Sequence, residues 1–140
     1  MNTLEGLREG KITGDVLQLF YRVYDRLGFG YAESVYLNAL VIELKAAGIP
    51  FEREKRLDVW YKGECIGVFR ADLVIASKVI VEVKATLALA EAHRGQLLNY
   101  LRCSNLEVGL LLHFGPKASF ERMFHTNDRK SDVVPIEPKE

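Results

Sequence analysis

Hydrophobic and polar positions recur along this chain with two different periods, and each change of period marks an element. From Ile12 to Leu27 the apolar residues Ile12, Val16, Leu19, Phe20, Val23 and Leu27 return every three or four positions, which predicts a helix. Thr13 or Asp15 is its candidate cap, and Gly28 and Gly30 its stop. A second helix is expected over Ala32–Ala47, ended by Gly48 and Pro50, with Leu37, Leu40, Val41 and Leu44 as its inward stripe. The period then falls to two. Glu54–Tyr61 and Cys65–Ile75 read as a hairpin turning at Lys62-Gly63-Glu64, and a short link leads to a third strand, Val79–Ala85. Helical spacing resumes over Glu91–Arg102, where Leu97, Leu98 and Leu101 supply the core side. Glu107–Phe114 is a further apolar strand, Ser119–His125 an edge strand, and the polar residues 127–140 a tail. A helix between Val79–Ala85 and Glu107–Phe114 makes a crossover, so those strands are expected to be parallel. Two helices, three strands, a helix and two strands suggest an α/β sandwich around a mixed sheet, one domain over residues 1–126.

Composition leaves this picture unchanged. With 49% hydrophobic and 27% charged residues, 140 residues can bury a core without metal or disulfide support. Cys65 and Cys103 lie far apart in no metal-binding pattern and read as reduced, packed thiols. No export signal or membrane-length apolar run occurs, so a cytoplasmic protein with no membrane partner is expected. Lys+Arg and Asp+Glu balance at 19 each, which argues against a general nucleic-acid coat. It leaves room for a local positive groove: Arg53, Lys55, Arg56, Lys62, Arg70, Lys84, Arg94 and Arg102 crowd the middle of the chain. Solvated strand edges and helix faces explain most of these equally well.

The chemistry starts at Val79–Ala85, VIVEVKA. Strand alternation puts Glu82 and Lys84 on one face with Ile80, opposite Val79, Val81, Val83 and Ala85. Charges in so apolar a strand need partners or a metal. Asp72 lies in the preceding strand between Ala71 and Leu73, sharing a face with Arg70 and Val74 by simple alternation. Glu33, one turn before Leu37, is aimed inward by the helical pattern; a first-turn glutamate half in solvent is the competing reading. Gln96 and Tyr100 share a helix face, with His93 a turn earlier as a partly exposed histidine. Two or three carboxylates and a main-chain carbonyl suit Mg²⁺ or Mn²⁺, and a lysine beside them can orient or help deprotonate a water.

With these motifs the chain resembles the PD-(D/E)XK nuclease superfamily, and in particular its small GxxExxY family. The family name is spelled by Gly30-Tyr31-Ala32-Glu33-Ser34-Val35-Tyr36. Asp72 matches the second-strand acid, Glu82-Val83-Lys84 the Glu-x-Lys, and Gln96-Leu97-Leu98-Asn99-Tyr100 the QxxxY motif of RecB-like members. The resemblance covers about Ile12 to Phe124. It implies a restriction-endonuclease-like three-layer α/β/α sandwich around a mixed central sheet. It also implies metal ligation by Asp72, Glu82 and the Val83 carbonyl, with Glu33 reaching the ion directly or through water. Lys84 would act on the nucleophilic water, and Gln96 would position water, substrate or Lys84. Tyr100 would contact the nucleic-acid backbone or merely pack.

Three readings are therefore open. The first is a Mg²⁺-dependent nuclease acting on nucleic acid, with DNA favoured and RNA not excluded by any residue. The second is a non-catalytic nucleic-acid-binding or assembly module on the same scaffold, which the neutral charge and the lack of a targeting domain favour. The third is a structural Glu82–Lys84 ion pair. A homodimer would offer more surface to a duplex, though no residue pattern requires one.

Overall fold

The computed structural model describes residues 8–130; residues 131–140 of the expected tail lie outside the described residues. Its elements are α1 (Gly10–Leu27), α2 (Glu33–Ala46), β1 (Phe51–Tyr61), β2 (Glu64–Ile75), β3 (Val79–Lys84), α3 (Glu91–Arg102), β4 (Val108–Phe114) and β5 (Ala118–Phe124). The strands form one sheet in the order β1-β2-β3-β4-β5. Antiparallel pairing joins β1 to β2 and β2 to β3. The α3 crossover makes β3 and β4 parallel as expected, and β5 returns antiparallel to β4. Among the described residues, no helix is long and apolar enough to cross a membrane.

Each face of the sheet is covered, which makes a three-layer α/β/α sandwich. On one side Val16, Phe20 and Val23 of α1 and Leu40 and Leu44 of α2 pack against Leu73, Val79, Val81, Val83, Leu110, Leu112 and Phe114. On the other, Leu97, Tyr100 and Leu101 of α3 pack against Leu57, Ala71, Val74, Ile80 and Leu111. That double cover explains the unbroken burial of β3 up to Val83 and of all β4. α3 sits close to the sheet because β4 carries Gly109 beneath it: a Cβ there would lie 2.8 Å from Leu97 Cδ1. A larger residue would push α3 away.

Several local expectations are revised. Thr13 does not cap α1; its hydroxyl donates back to the Glu9 and Gly10 carbonyls, and Asp15 pairs with Lys11 in solvent. Gly28 does end the helix, at φ 68. On α2, Tyr36 is fully buried while Leu37 is only partly so, which turns the inward stripe by one residue. On α3, Tyr100 takes the core position and Leu98 is half-buried. Cys65 is exposed rather than packed, and both cysteines are free. The first residues after Thr126 form a 3-10 turn, Asn127–Arg129, and Lys130 Nζ donates to the Ser104 and Leu106 carbonyls. The start of that stretch is therefore tied to the α3–β4 connection.

Candidate functional site

Along β3, Ile80 packs toward α3 while Val79, Val81 and Val83 pack toward α1 and α2. Glu82 therefore points to the α3 side, where it is only 2% exposed. Lys84 shares that face and is half-buried. The β2–β3 ladder pairs Ile75 with Val79, Val74 with Ile80 and Leu73 with Val81, and stops there. The next residues in line are Asp72 and Glu82. In place of the missing carbonyl acceptors stand their two carboxylates: Asp72 N–H donates to Glu82 Oε2 (2.6 Å), and Val83 N–H donates to Asp72 Oδ2 (2.8 Å). The acids meet in the notch where the strands part. The N–H and C=O of a strand residue point to the same neighbour, so the Val83 carbonyl also faces this notch.

The opening coincides with a slip in side-chain phase. Leu73 and Ile75 lie on the α1–α2 side, yet Phe69 and Ala71 lie on the α3 side. On β1, Phe51 belongs to the first side and Leu57 to the second. Both strands thus change phase at one level, and only the Glu54–Asp72 pair is missing from the register between Phe51 and Val59. Glu54 takes up the twist with φ 52, in the left-handed region. Asp72 consequently does not share a face with both Arg70 and Val74, because Val74 packs against α3 and Arg70 is on the opposite side from its neighbours Phe69 and Ala71. A β conformation for every residue, assumed by simple alternation, fails at this one position.

The electrostatics follow from burial and crowding. Burial, then the charge of Asp72, pushes the Glu82 carboxyl up to about 8. Burial also raises Asp72, against the Val83 N–H and Lys84, which hold it down; the charges of Glu33 and Glu54 raise it further. Lys84 opposes the shift in both acids. At neutral pH the unliganded pair therefore retains a proton that two ordinary carboxylates would lose. Since Glu82 spends an oxygen on a main-chain N–H, it is not simply the partner of Lys84.

Glu33, expected to point inward, is exposed in the first turn of α2. The inward position belongs to Tyr36, which stacks on Phe114 with ring centroids 4.2 Å apart. The Tyr36 hydroxyl donates to the Gly28 carbonyl (2.5 Å) and accepts from Tyr31 N–H (3.2 Å). It clamps the loop in which Gly30 adopts φ 124, a conformation open to glycine alone. The glycine and tyrosine of that motif thus place Glu33 at a rim from which its charge acts on both acids.

On α3, Gln96 is half-buried one turn before Tyr100. Tyr100 is 4% exposed and packs on Phe69, with ring centroids 5.2 Å apart. Burial, then the charges of Glu82 and Asp72, push its hydroxyl up to about 12, while its ring serves the core. His93 Nδ1 accepts from Ala90 N–H and holds the start of the helix.

Two positions escaped sequence reasoning. His113 pairs in register with Lys84 and is buried; its Nε2 lies 2.7 Å from the Thr86 carbonyl and fastens the loop that leaves Lys84. Nothing in an apolar strand distinguishes such a histidine. Glu54 escaped because a glutamate among basic residues carries no sign of positive φ. Replacing Glu54 with glycine is expected to stabilise the protein by about 0.5–1 kcal/mol, since glycine adopts this φ freely and also removes a charge facing Asp72. Chemical denaturation checks it, and an equal or lower midpoint would mean that the twist carries no strain.

Among the described residues, no three His, Cys, Asp or Glu side chains are gathered as a metal cage. The donor set is two carboxylates and a main-chain carbonyl. Such oxygen ligands fit Mg²⁺ or Mn²⁺, which retain several waters. A cation would also favour the ionised form of both acids against the burial that raises them.

Residues 10–123 match the family described as the PD-(D/E)XK nuclease superfamily. No curated protein matches the chain. A solved structure titled "Crystal structure of SSO0001" is similar in fold, with 21% identity and a TM-score of 0.55. The likeness covers 66% of this chain and 50% of that one, so the chain spans half that structure's length.

Proposed function

Because the chain belongs to the PD-(D/E)XK nuclease superfamily, we propose that it hydrolyses phosphodiester bonds in nucleic acid, DNA foremost, at the β2–β3 notch. The observation that carries this reading is the reciprocal pair of hydrogen bonds that brings the Asp72 and Glu82 carboxylates together where the ladder ends. Two acids held this way repel each other unless one keeps a proton or a cation lies between them.

Asp72, Glu82 and the Val83 carbonyl would hold Mg²⁺ or Mn²⁺, with Glu33 acting from the rim through water. When bound, such an ion supplies charge neutralisation at a phosphoryl oxygen and makes water more acidic. The remaining work belongs to side chains. Lys84, on the Glu82 face, orients the attacking water and offsets charge developing on the phosphate. Gln96 donates or accepts at that water from α3. Tyr100 backs the acids from the core with its buried ring, and the His113–Thr86 contact fixes the main chain that follows Lys84.

The test is calorimetric titration of Mg²⁺ and Mn²⁺ into wild type and Asp72→Ala, followed by incubation with single-stranded, duplex and branched DNA. Wild type is expected to bind metal with proton release, because Glu82 must give up its proton. Asp72→Ala should lose the binding and slow cleavage by about 10³-fold or more, the several kcal/mol that a metal supplies. Metal binding with no cleavage of any substrate would favour the non-catalytic module. Absence of both would leave the acids a structural device.

A further inference from the structure

The end of the sheet that carries Lys84 also carries an apolar rim. Lys84 pairs in register with His113, and Tyr36 stacks on the next residue, Phe114. Through its hydroxyl Tyr36 holds Gly28 and Tyr31, so the loop between α1 and α2 sits at this end too. Phe29 and Tyr31 on that loop are 44% and 52% exposed. The loop that leaves Lys84 adds Leu87, 77% exposed. Single exposed apolar residues are ordinary, but a group of them bordering a polar site marks a contact surface. Both loops are held in place. Tyr31 N–H donates to Tyr36, its ring meets the Tyr36 ring edge-on with centroids 6.1 Å apart, and Gly28 and Gly30 at φ 68 and 124 bracket Phe29. His113 fastens the Thr86 carbonyl, and the Thr86 hydroxyl donates to the Ala88 carbonyl. The β4–β5 turn is joined to the first loop: Gly28 N–H donates to the Tyr24 carbonyl, and the Tyr24 hydroxyl donates to the Gly115 carbonyl (2.7 Å). Two residues after Gly115, Lys117 is exposed and belongs to none of the ion pairs among the described residues.

We propose that Tyr31 stacks on an unpaired nucleobase and that Lys117 takes a phosphate beside it, so that the site selects strands with open bases over intact duplex. The proposal rests on the nuclease reading and names a specificity residue for that site. Three observations carry it. An exposed aromatic ring offers its face to any base, whereas the bases of a duplex spend theirs on one another. Tyr31 lies two residues, within about 7 Å of chain, from Glu33 at the rim. The charge of Glu33 reaches both acids, so a base on the tyrosine leaves its adjoining backbone at the notch. Lys117, a cation without a protein anion, stands on the turn tied to the same loop and supplies the charge that a phosphate needs. Because hydrogen bonds and two glycine conformations already fix that loop, little ordering opposes the contact.

The test is fluorescence anisotropy over a salt series, in EDTA so that nothing is cleaved. The probes are a labelled single-stranded oligodeoxynucleotide, its abasic counterpart and a blunt duplex of the same sequence. Tyr31→Leu, which keeps an apolar side chain over Tyr36, is expected to bind the single strand about 10-fold more weakly with an unchanged salt slope. Wild type should lose a similar factor on the abasic strand, where the variant loses no more. Tyr31→Phe should bind as wild type does. Lys117→Ala should lower the slope of log affinity against log salt by about 0.7, one single-strand phosphate. Equal single-strand binding by wild type and Tyr31→Leu, an equal loss in that variant on abasic and ordinary strands, or tighter binding of the duplex by wild type would each overturn the stacking. An unchanged slope in Lys117→Ala would overturn the phosphate contact. Cleavage assays in Mg²⁺ decide the nuclease reading separately. Wild-type cleavage with unaltered binding in Tyr31→Leu would sink the stacking alone; tyrosine-dependent binding without cleavage would sink the nuclease alone.

Discussion

Replacing Glu82 with glutamine is expected to stabilise the metal-free protein at pH 8 by about 3–5 kcal/mol. The Glu82 carboxyl moves from 4.5 to about 8 on folding, chiefly by burial. Each unit of such a shift is worth about 1.4 kcal/mol. Because this acid is raised, the sign is opposite to that of an ordinary ion-paired carboxylate. Below pH 4.5 it is protonated in both folded and unfolded chains and contributes nothing. Between 4.5 and about 8 the unfolded chain ionises while the folded one keeps its proton, so stability falls as pH rises. Glutamine has no such titration and still offers an oxygen to the Asp72 N–H. Urea denaturation in EDTA at pH 5 and pH 8 measures this: the wild-type and variant curves should converge at low pH and separate at high pH. Parallel curves would mean that Glu82 is not forced to hold a proton. Added Mg²⁺ should stabilise wild type by mass action and leave the variant nearly unmoved.

Lys84→Ala is expected to lower the single-turnover cleavage rate by about 10³–10⁴-fold while metal affinity is kept or improved. Lys84 lies on the Glu82 face, and its charge acts on both acids. Removing it takes away one positive charge that competes with a cation, together with the group that orients the attacking water. Lys84→Arg should not restore the rate, because a planar fork replaces a compact ammonium on a half-buried site. Rate measurements beside calorimetry separate the two effects. Cleavage within tenfold of wild type would remove Lys84 from the chemistry and leave it a charge-balancing residue.

The difference between Glu82 and Asp72 shows what was legible along the chain. The direction of Glu82 could be read from VIVEVK, because β3 is regular and paired with β4 along its whole length, so period two holds residue by residue. The direction of Asp72 could not, because the hairpin changes phase at its level and only Glu54, across the strand, reveals the twist. Glu33 and Tyr36 make the same point on α2. Helical spacing aimed Glu33 inward and left Tyr36 outside the expected stripe. The hydroxyl of Tyr36, reaching Gly28 and Tyr31, decided that the tyrosine goes in and the glutamate to the rim. On α3 the spacing placed Gln96 and Tyr100 together, but only the approach of Phe69 turned Tyr100 into a core residue.

By itself the sequence determined the order of elements, the crossover that makes β3 and β4 parallel, and the shared face of Glu82 and Lys84. These depend on local periodicity and on the short links between neighbours. Only the tertiary structure decided that the β2–β3 ladder opens after Leu73 and Val81, and that the two carboxylates replace the lost main-chain acceptors there. It alone decided that Glu82 is driven up to about 8. Desolvation and like-charge repulsion depend on which distant elements close over a group, and here those are α3 on one side and the twisted hairpin on the other.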